Sequence, residues 1–437
     1  MTAGDRLPEN ANPSLPDPAE IAQQIESIYR QESRRVLATL IRFLRDVDLA
    51  EDALQEAFAA AAKTWPQEGV PRNPRAWLVS AGRFRAVDAL RKRQRFEHVR
   101  DDVVRRQNEL AMAQTQLSDE DIEDDRLRLI FTCCHPAIAP AAQVALTLRE
   151  VCGLTTDEIA SAFLAAPATI AQRIVRARSR IRDAGIPYRV PEADERPERL
   201  QSVLSVIYLV YSEGYAASAG QTLTRTELTT EAIRLGRLVV ELMPDPEAIG
   251  LLALMLLQES RRQARTTADG DLILLDEQDR SLWDQDLIRE GTLLVAEVMS
   301  AGHIGGYSIQ AALAAQHAIA ATPQETDWGR IVVLYDSLLA SSPSPVVELN
   351  RAVAVAMRDG PAAGLDLITE LQHRGELQEF HLLHAAQADL LRRDGKTEAA
   401  RDAYLRALAL ARQEPERRFL RKRIDGLSEQ SREKIPE

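Results

Sequence analysis

Residues 155–182 hold the side chains best suited to chemistry on another macromolecule. They read Thr-Thr-Asp-Glu-Ile-Ala-Ser-Ala-Phe-Leu-Ala-Ala-Pro-Ala-Thr-Ile-Ala-Gln-Arg-Ile-Val-Arg-Ala-Arg-Ser-Arg-Ile-Arg. The pattern predicts a helix, a tight turn and a second helix over 167–182. Ile170, Ile174, Ala177 and Ile181 recur at helical spacing on one side of that second helix. Thr169, Gln172, Arg173, Arg176 and Arg180 fall on the other. Arginine can bond guanine bidentately and glutamine can bond adenine, so a helix with an apolar back and this front suits the major groove. Arg173 and Arg176 are the expected base contacts, each good bidentate pair giving ~1–3 kcal/mol of discrimination. Arg178, Arg180 and Arg182 are the expected phosphate contacts, which add affinity without sequence choice. A solvated Arg-rich face is the plain alternative. Thr155 and Glu158, at capping-box spacing, weigh against it.

A second basic stretch, residues 75–95, interleaves aromatic residues with arginine. Trp77, Ala81 and Phe84 are expected to point inward, with Arg83, Arg85, Arg91, Lys92, Arg93 and Arg95 on the surface. A loop at 66–74, broken by prolines and Gly69, precedes it and carries Arg72 and Asn73. Aromatic side chains beside positive charge suit unpaired DNA, although Trp77 and Phe84 fit a core better than a stacking platform. Upstream, residues 48–65 open on Asp48 and Glu51 at capping-box spacing. Ala53, Ala57, Ala61 and Trp65 form an apolar stripe widened by Leu54 and Phe58. Glu51, Asp52, Gln55 and Glu56 lie outside as an acidic patch suited to docking a basic partner.

Other groups invite chemistry and carry less. Cys133-Cys134-His135 has no CxxC partner, and adjacent ligands on a helix diverge, so these are read as buried helix residues. Gly302, Gly305 and Gly306 beside His303 match neither phosphate-loop pattern and read as a turn. Trp283, Asp284, Asp286 and Trp328 are candidates for a ligand pocket, with core packing the stronger reading. No nucleophile–histidine–acid set emerges, so no enzyme, cofactor or metal is expected.

These residues must be positioned by helices. Alternating strand patterns do not recur, and Ala, Leu, Arg, Glu and Gln dominate, so the chain is expected to be all-α. Its 437 residues suggest about three domains. The punctuation gives a disordered tail at 1–18, a helical block at 19–98, a polar and partly helical linker at 99–125, a block with the helix-turn-helix at 126–186, a second linker at 187–197 and a long helical region at 198–430. Net charge is −12, so nucleic-acid binding is expected only at the local basic clusters. Three cysteines favour a reducing compartment. The longest apolar run, residues 249–257, is too short for a bilayer, and the tail lacks a signal-peptide pattern. A cytoplasmic protein without membrane contact is expected. Toward the C-terminus, Gly360 and Gly395 fall 35 residues apart at turns, and Ala400, Tyr404 and Ala407 take the small–aromatic–small spacing of a tetratricopeptide helix. One such repeat is expected there, with another from about Pro345.

The paired basic blocks, in this order, resemble the sigma-70 family, and within it the extracytoplasmic-function (ECF) sigma factors. Residues 46–58 are similar to the helix that grips the polymerase beta-prime clamp. Residues 73–93 are similar to the helix that melts and reads the minus-ten element, with Phe84 where the family usually has Asn. Residues 127–182 are similar to domain four, which reads the minus-thirty-five element. The resemblance implies core RNA polymerase (beta-prime clamp and beta flap) and promoter DNA as partners. It assigns Glu51, Asp52, Gln55 and Glu56 to polymerase, and Arg72, Asn73, Arg75, Trp77, Arg83, Arg85, Arg91, Lys92 and Arg93 to the minus-ten element. Thr169, Gln172, Arg173, Arg176, Arg178 and Arg180 fall to the minus-thirty-five element. Residues 131–136, 278–284 and 325–331 resemble signatures of an ECF subgroup whose tetratricopeptide-containing extension is thought to regulate the sigma core, with a protein or small-molecule partner of that extension. A one-component helix-turn-helix regulator with a helical sensor domain is the alternative, dimeric and independent of polymerase. A tetratricopeptide adaptor would leave both basic blocks unexplained.

Overall fold

The computed structural model describes residues 18–94, 119–163, 165–216, 225–267, 269–302 and 304–433. Over these residues the chain is all-helical, as expected, with one isolated β-bridge between Thr266 and Leu272. The expected tail at 1–18 (but for Pro18) and the linker through residue 118 lie outside the described residues. The chain divides into two compact units, residues 1–155 with 171–200 and residues 156–170 with 201–437.

In the first unit, α1 (Pro18–Leu44), α2 (Val47–Glu68) and α3 (Pro74–Gln94) pack on one another. The cap of α2 is Asp46, whose carboxylate accepts the Leu49 amide at 2.9 Å, and not Asp48 as the spacing suggested. Asp46 has the extended backbone a cap needs, whereas Asp48 is already inside the first turn. The stripe Ala53, Ala57, Ala61 and Trp65 is buried with Leu54 and Phe58, as expected. Small residues along it let α3 approach closely. A Cβ on Gly82 would lie 3.1 Å from the Ala53 carbonyl, which pins the rotation of α3. The loop before α3 is shorter than expected, because α2 runs through Pro66 to Glu68. Gly69 ends it, at φ 81°, with its amide on the Trp65 carbonyl.

The acidic run at the end of the expected, partly helical linker begins α4 (Asp119–Cys133). Acidic side chains complement the positive end of a helix dipole, which favours this placement. Then come α5 (Pro140–Thr147) and a π-helical turn, Leu148–Cys152, closed by Gly153 at φ 83°. Next are α6 (Thr156–Ala162), grouped with the second unit, and α7 (Pro167–Asp183), which spans the division.

The second unit takes most of α8 (Arg196–Tyr215), then α9 (Thr226–Leu242), α10 (Pro246–Glu259), α11 (Gln285–Ala301) and α12 (Gly306–Ile319). The apolar run 249–257 lies in α10, a helix buried almost all round by α9, α11 and α12. The glycines before α12 form a turn, and its first amides are occupied. The Glu247 carboxylate accepts the Tyr307 and Ser308 amides at 2.9 and 3.1 Å, so this helix start is capped by the protein's own anion.

Beyond it α13 (Trp328–Ser341), α14 (Pro345–Asp359), α15 (Pro361–His373), α16 (His381–Arg393), α17 (Thr397–Leu410) and α18 (Glu414–Glu433) each pack on the next. Gly360 and Gly395 sit at turns with φ of 105° and 77°, and Ala400, Tyr404 and Ala407 are buried, all as expected. No helix among the described residues is long and apolar enough to cross a membrane.

Candidate nucleic-acid interface

Local chemistry sets the exposed face of α7. Ile170, Ile174 and Ala177 are buried, as the spacing predicted. Thr169, Gln172, Arg176 and Arg180 are exposed and Arg173 is half-buried. The Arg180 guanidinium donates to the Ala137 carbonyl at 3.2 Å.

Arg178 is placed differently from its neighbours. It is ion-paired to Asp48 at 2.6 Å and Glu51 at 2.9 Å, both on α2, and to Glu150 at 2.5 Å on the π-helical turn. Glu150 is 1% exposed. Burial raises its carboxyl pKa, against the pull of Arg178. Burial works against the Arg178 charge too, yet Glu150 and Glu51 hold its pKa above the usual value. The pairing is incomplete, since Glu150 Oε2 and Arg178 Nε have no hydrogen-bond partner among the described residues. Such a group of charges costs desolvation that its contacts only partly offset.

A second set of contacts joins the same elements. Asp125 on α4 is fully buried and faces Arg42 of α1 at 3.0 Å and Arg128 at 2.5 Å. Burial raises its pKa despite both cations. The Tyr188 hydroxyl donates to the carbonyls of Ala38 and Asp125, each at 2.9 Å. Arg199, at the start of α8, donates to the Phe131 carbonyl at 2.6 Å. The segment expected to be a linker at 187–197 is therefore anchored to α1 and α4 at Tyr188. Sequence reasoning missed Arg42, Asp125, Glu150 and Tyr188, which share no spacing and meet only through the fold.

On α2, Asp52, Gln55 and Glu56 are exposed while Glu51 is half-buried, with Arg149 at 3.8 Å as well as Arg178. On α3 and its approach, Arg72, Asn73 and Arg85 are exposed. The Asn73 side chain accepts the Ala76 amide at 3.0 Å, and Arg75 is held by Glu32 at 2.7 Å. Burial notwithstanding, Arg75 and Arg35 lower the Glu32 pKa. Trp77 packs edge-on to Trp65 at 5.3 Å, and Arg83 lies over the Phe43 ring at 4.3 Å. Arg91, Lys92 and Arg93 continue α3, but their side chains lie outside the described residues. Phe84 overturns the expected inward position. It is 72% exposed, because Gly82 and Ala86 take the buried face and the helix rotation is fixed by Gly82.

The other candidates resolve into structure. Cys133 and Cys134 are buried and unpaired, and burial pushes the Cys134 thiol up to about 12. Trp283 is buried beside Ala264 and Ile288. Asp284 caps α11, and Asp286 is exposed in its first turn. Trp328 lines a cavity among the C-terminal helices.

Comparison with known proteins follows the same division. Residues 28–96 match the family model for Sigma-70 region 2, residues 128–181 that for Sigma-70, region 4, and residues 199–299 a family of unknown function, DUF6596. A Probable ECF RNA polymerase sigma factor SigI of Mycobacterium tuberculosis (strain ATCC 25618 / H37Rv) is 24% identical over 173 residues, covering 39% of this chain and 59% of that protein. No solved structure matches the chain. The chain thus carries Sigma-70 region 2 and region 4 matches over part of its length, which support a sigma-70 family member and imply polymerase core and promoter DNA as partners. The chain belongs to the same family as the uncharacterized protein R00370 of Rhizobium meliloti (strain 1021), with 43% identity over 400 residues, 90% of this chain and 93% of that protein.

Proposed function

We propose that this chain is an alternative sigma factor of the ECF type, acting in the cytoplasm, and that its C-terminal helical domain, of tetratricopeptide type, regulates it. Asp52, Gln55 and Glu56, with Glu51, would bind core polymerase. The exposed side chains of α3 and its approach would open the minus-ten element, and Thr169, Gln172, Arg173 and Arg176 would read the minus-thirty-five element. The observation that carries the regulatory part is the grouping of α6 with the C-terminal helices. Arg225 donates to the Ala162 carbonyl at the end of α6 and pairs with Glu213 at 2.7 Å. The first helix of the helix-turn-helix is thus held by the domain proposed to control it.

Regions 2 and 4 meet through Arg178 and Tyr188. The two promoter elements, by their names, lie about 25 base pairs apart, roughly 85 Å along B-DNA at ~3.4 Å per pair. Two modules in direct contact do not reach both, so the chain must open to initiate. Run-off transcription with core polymerase, comparing the full chain with a truncation after Pro191, tests the proposal. Activity confined to the full chain makes the extension an activator. Activity confined to the truncation makes it an inhibitor, and equal activity removes its regulatory role. Silence from both, with a palindrome bound by free protein in a gel shift, would favour the one-component regulator.

A further inference from the structure

We infer that the C-terminal domain binds a small aromatic carboxylate in the open cavity bordered by α12, α13, α14, α16 and α18. The cavity measures about 530 Å³, within the ~300–1,000 Å³ range of small-molecule sites. Its walls combine charged and polar residues with an apolar and aromatic part that includes Trp328, Leu274, Val353 and Met357. Among the polar side chains that line it are His317, Tyr335, Asn350 and Arg393.

None of the four has a hydrogen bond to a protein oxygen or nitrogen among the described residues. The His317 ring meets Trp328 edge-on at 5.4 Å, and Arg393 donates only to the Met357 sulfur at 2.8 Å. Polar groups convergent on an apolar cleft and uncommitted within the protein are what orients a bound ligand.

Charge selects the ligand class. Arg392 and Arg423 are neutralised by Asp389 and Glu277, each at 2.6 Å. Arg280 donates to the carbonyls of His317 and Ala320. Asp276 is exposed. Among the described residues Arg393 has no carboxylate partner, and a planar fork recognises a carboxylate bidentately. Burial, with Arg261 and Arg280 nearby, lowers the His317 pKa to about 4, so its ring is neutral at pH 7 and offers a hydrogen bond without charge. Burial pushes the Tyr335 phenol up to about 12, so it keeps its proton. An aromatic ring against Trp328, with one carboxylate at Arg393, uses the apolar wall and the uncommitted cation.

The test is calorimetric titration of the full chain with 2-naphthoate and with 2-naphthylmethylamine, the same ring with opposite charge. One naphthoate site is expected, with the amine at least about tenfold weaker. Arg393→Met, an exposed position whose loss should not disturb folding, is expected to weaken naphthoate about tenfold or more. Tyr335→Phe and His317→Asn should each weaken it several-fold, and Arg412→Met, outside the cavity, should leave it unchanged. The inference is overturned if naphthoate does not bind, if acid and amine bind alike, or if Arg393→Met binds naphthoate as tightly as the parent. The experiment contains no polymerase or DNA, so failure of the sigma-factor proposal in run-off transcription would leave it standing.

Discussion

At the residue scale, exposure and protonation separate side chains that look alike in the sequence. Phe84 is an exposed aromatic between Arg83 and the exposed Arg85. Aromatic–base stacking contributes ~1–3 kcal/mol per base. Phe84→Ala is predicted to leave the melting temperature nearly unchanged and to weaken capture of single-stranded minus-ten DNA by the holoenzyme by about that amount. Equal capture by both proteins would remove stacking from its role. His317 has the opposite character. Its folded pKa, about 4, lies below the ~6.5 of an exposed histidine. The unfolded chain therefore binds the extra proton between these values, and stability falls as pH drops from about 6.5 to about 4. The full loss is on the order of 3 kcal/mol. His317→Asn should flatten that part of the pH profile of unfolding, and parallel profiles would show that another group titrates.

At the element scale, close helix crossings depend on single positions. A Cβ on Gly250, in α10, would lie 2.7 Å from both the amide nitrogen and the hydroxyl oxygen of Ser308 at the start of α12. Ser308 is fixed there, because its amide and hydroxyl both bond Glu247. Gly250→Ala is predicted to cost about 1–3 kcal/mol by overpacking, read from urea unfolding followed by circular dichroism. A cost near zero would mean that α12 shifts freely. The helices of both units follow from periodicity that needs no tertiary information. Their ends are less legible, since Asp46 and Asp48 are equally good caps by composition and only the backbone before α2 separates them. Pro66 looks like a break, yet α2 carries it within its last turn.

At the scale of the whole molecule, the charges between α2, the π-helical turn and α7 are predicted to hold these elements together. Arg178→Met alone would leave Glu150 buried without a cation, which typically costs about 3–5 kcal/mol. Adding Glu150→Leu should recover most of that loss, because paired burial of charge gives little net stability. A double-mutant cycle by chemical unfolding reads the coupling, and small-angle scattering of the double mutant reads opening. A double mutant no more stable than Arg178→Met would show that Glu150 is not the group that Arg178 neutralises. A scattering profile identical to the parent's would show that these charges do not hold the closed form.

By itself, the sequence determined the helical class, the apolar stripe of α2, the buried side of α7, the turns at Gly360 and Gly395 and the two basic blocks. Each depends on spacing within one helix or on the turn chemistry of a few neighbours. Tertiary structure alone decided that Arg178 faces carboxylates, that Phe84 faces outward, that Tyr188 joins α1 to α4, and that Trp328 borders a cavity while Trp283 is core. Those outcomes depend on which helices meet and at what rotation. Packing of residues far apart in the chain sets that rotation, and the local pattern around any one of them does not encode it.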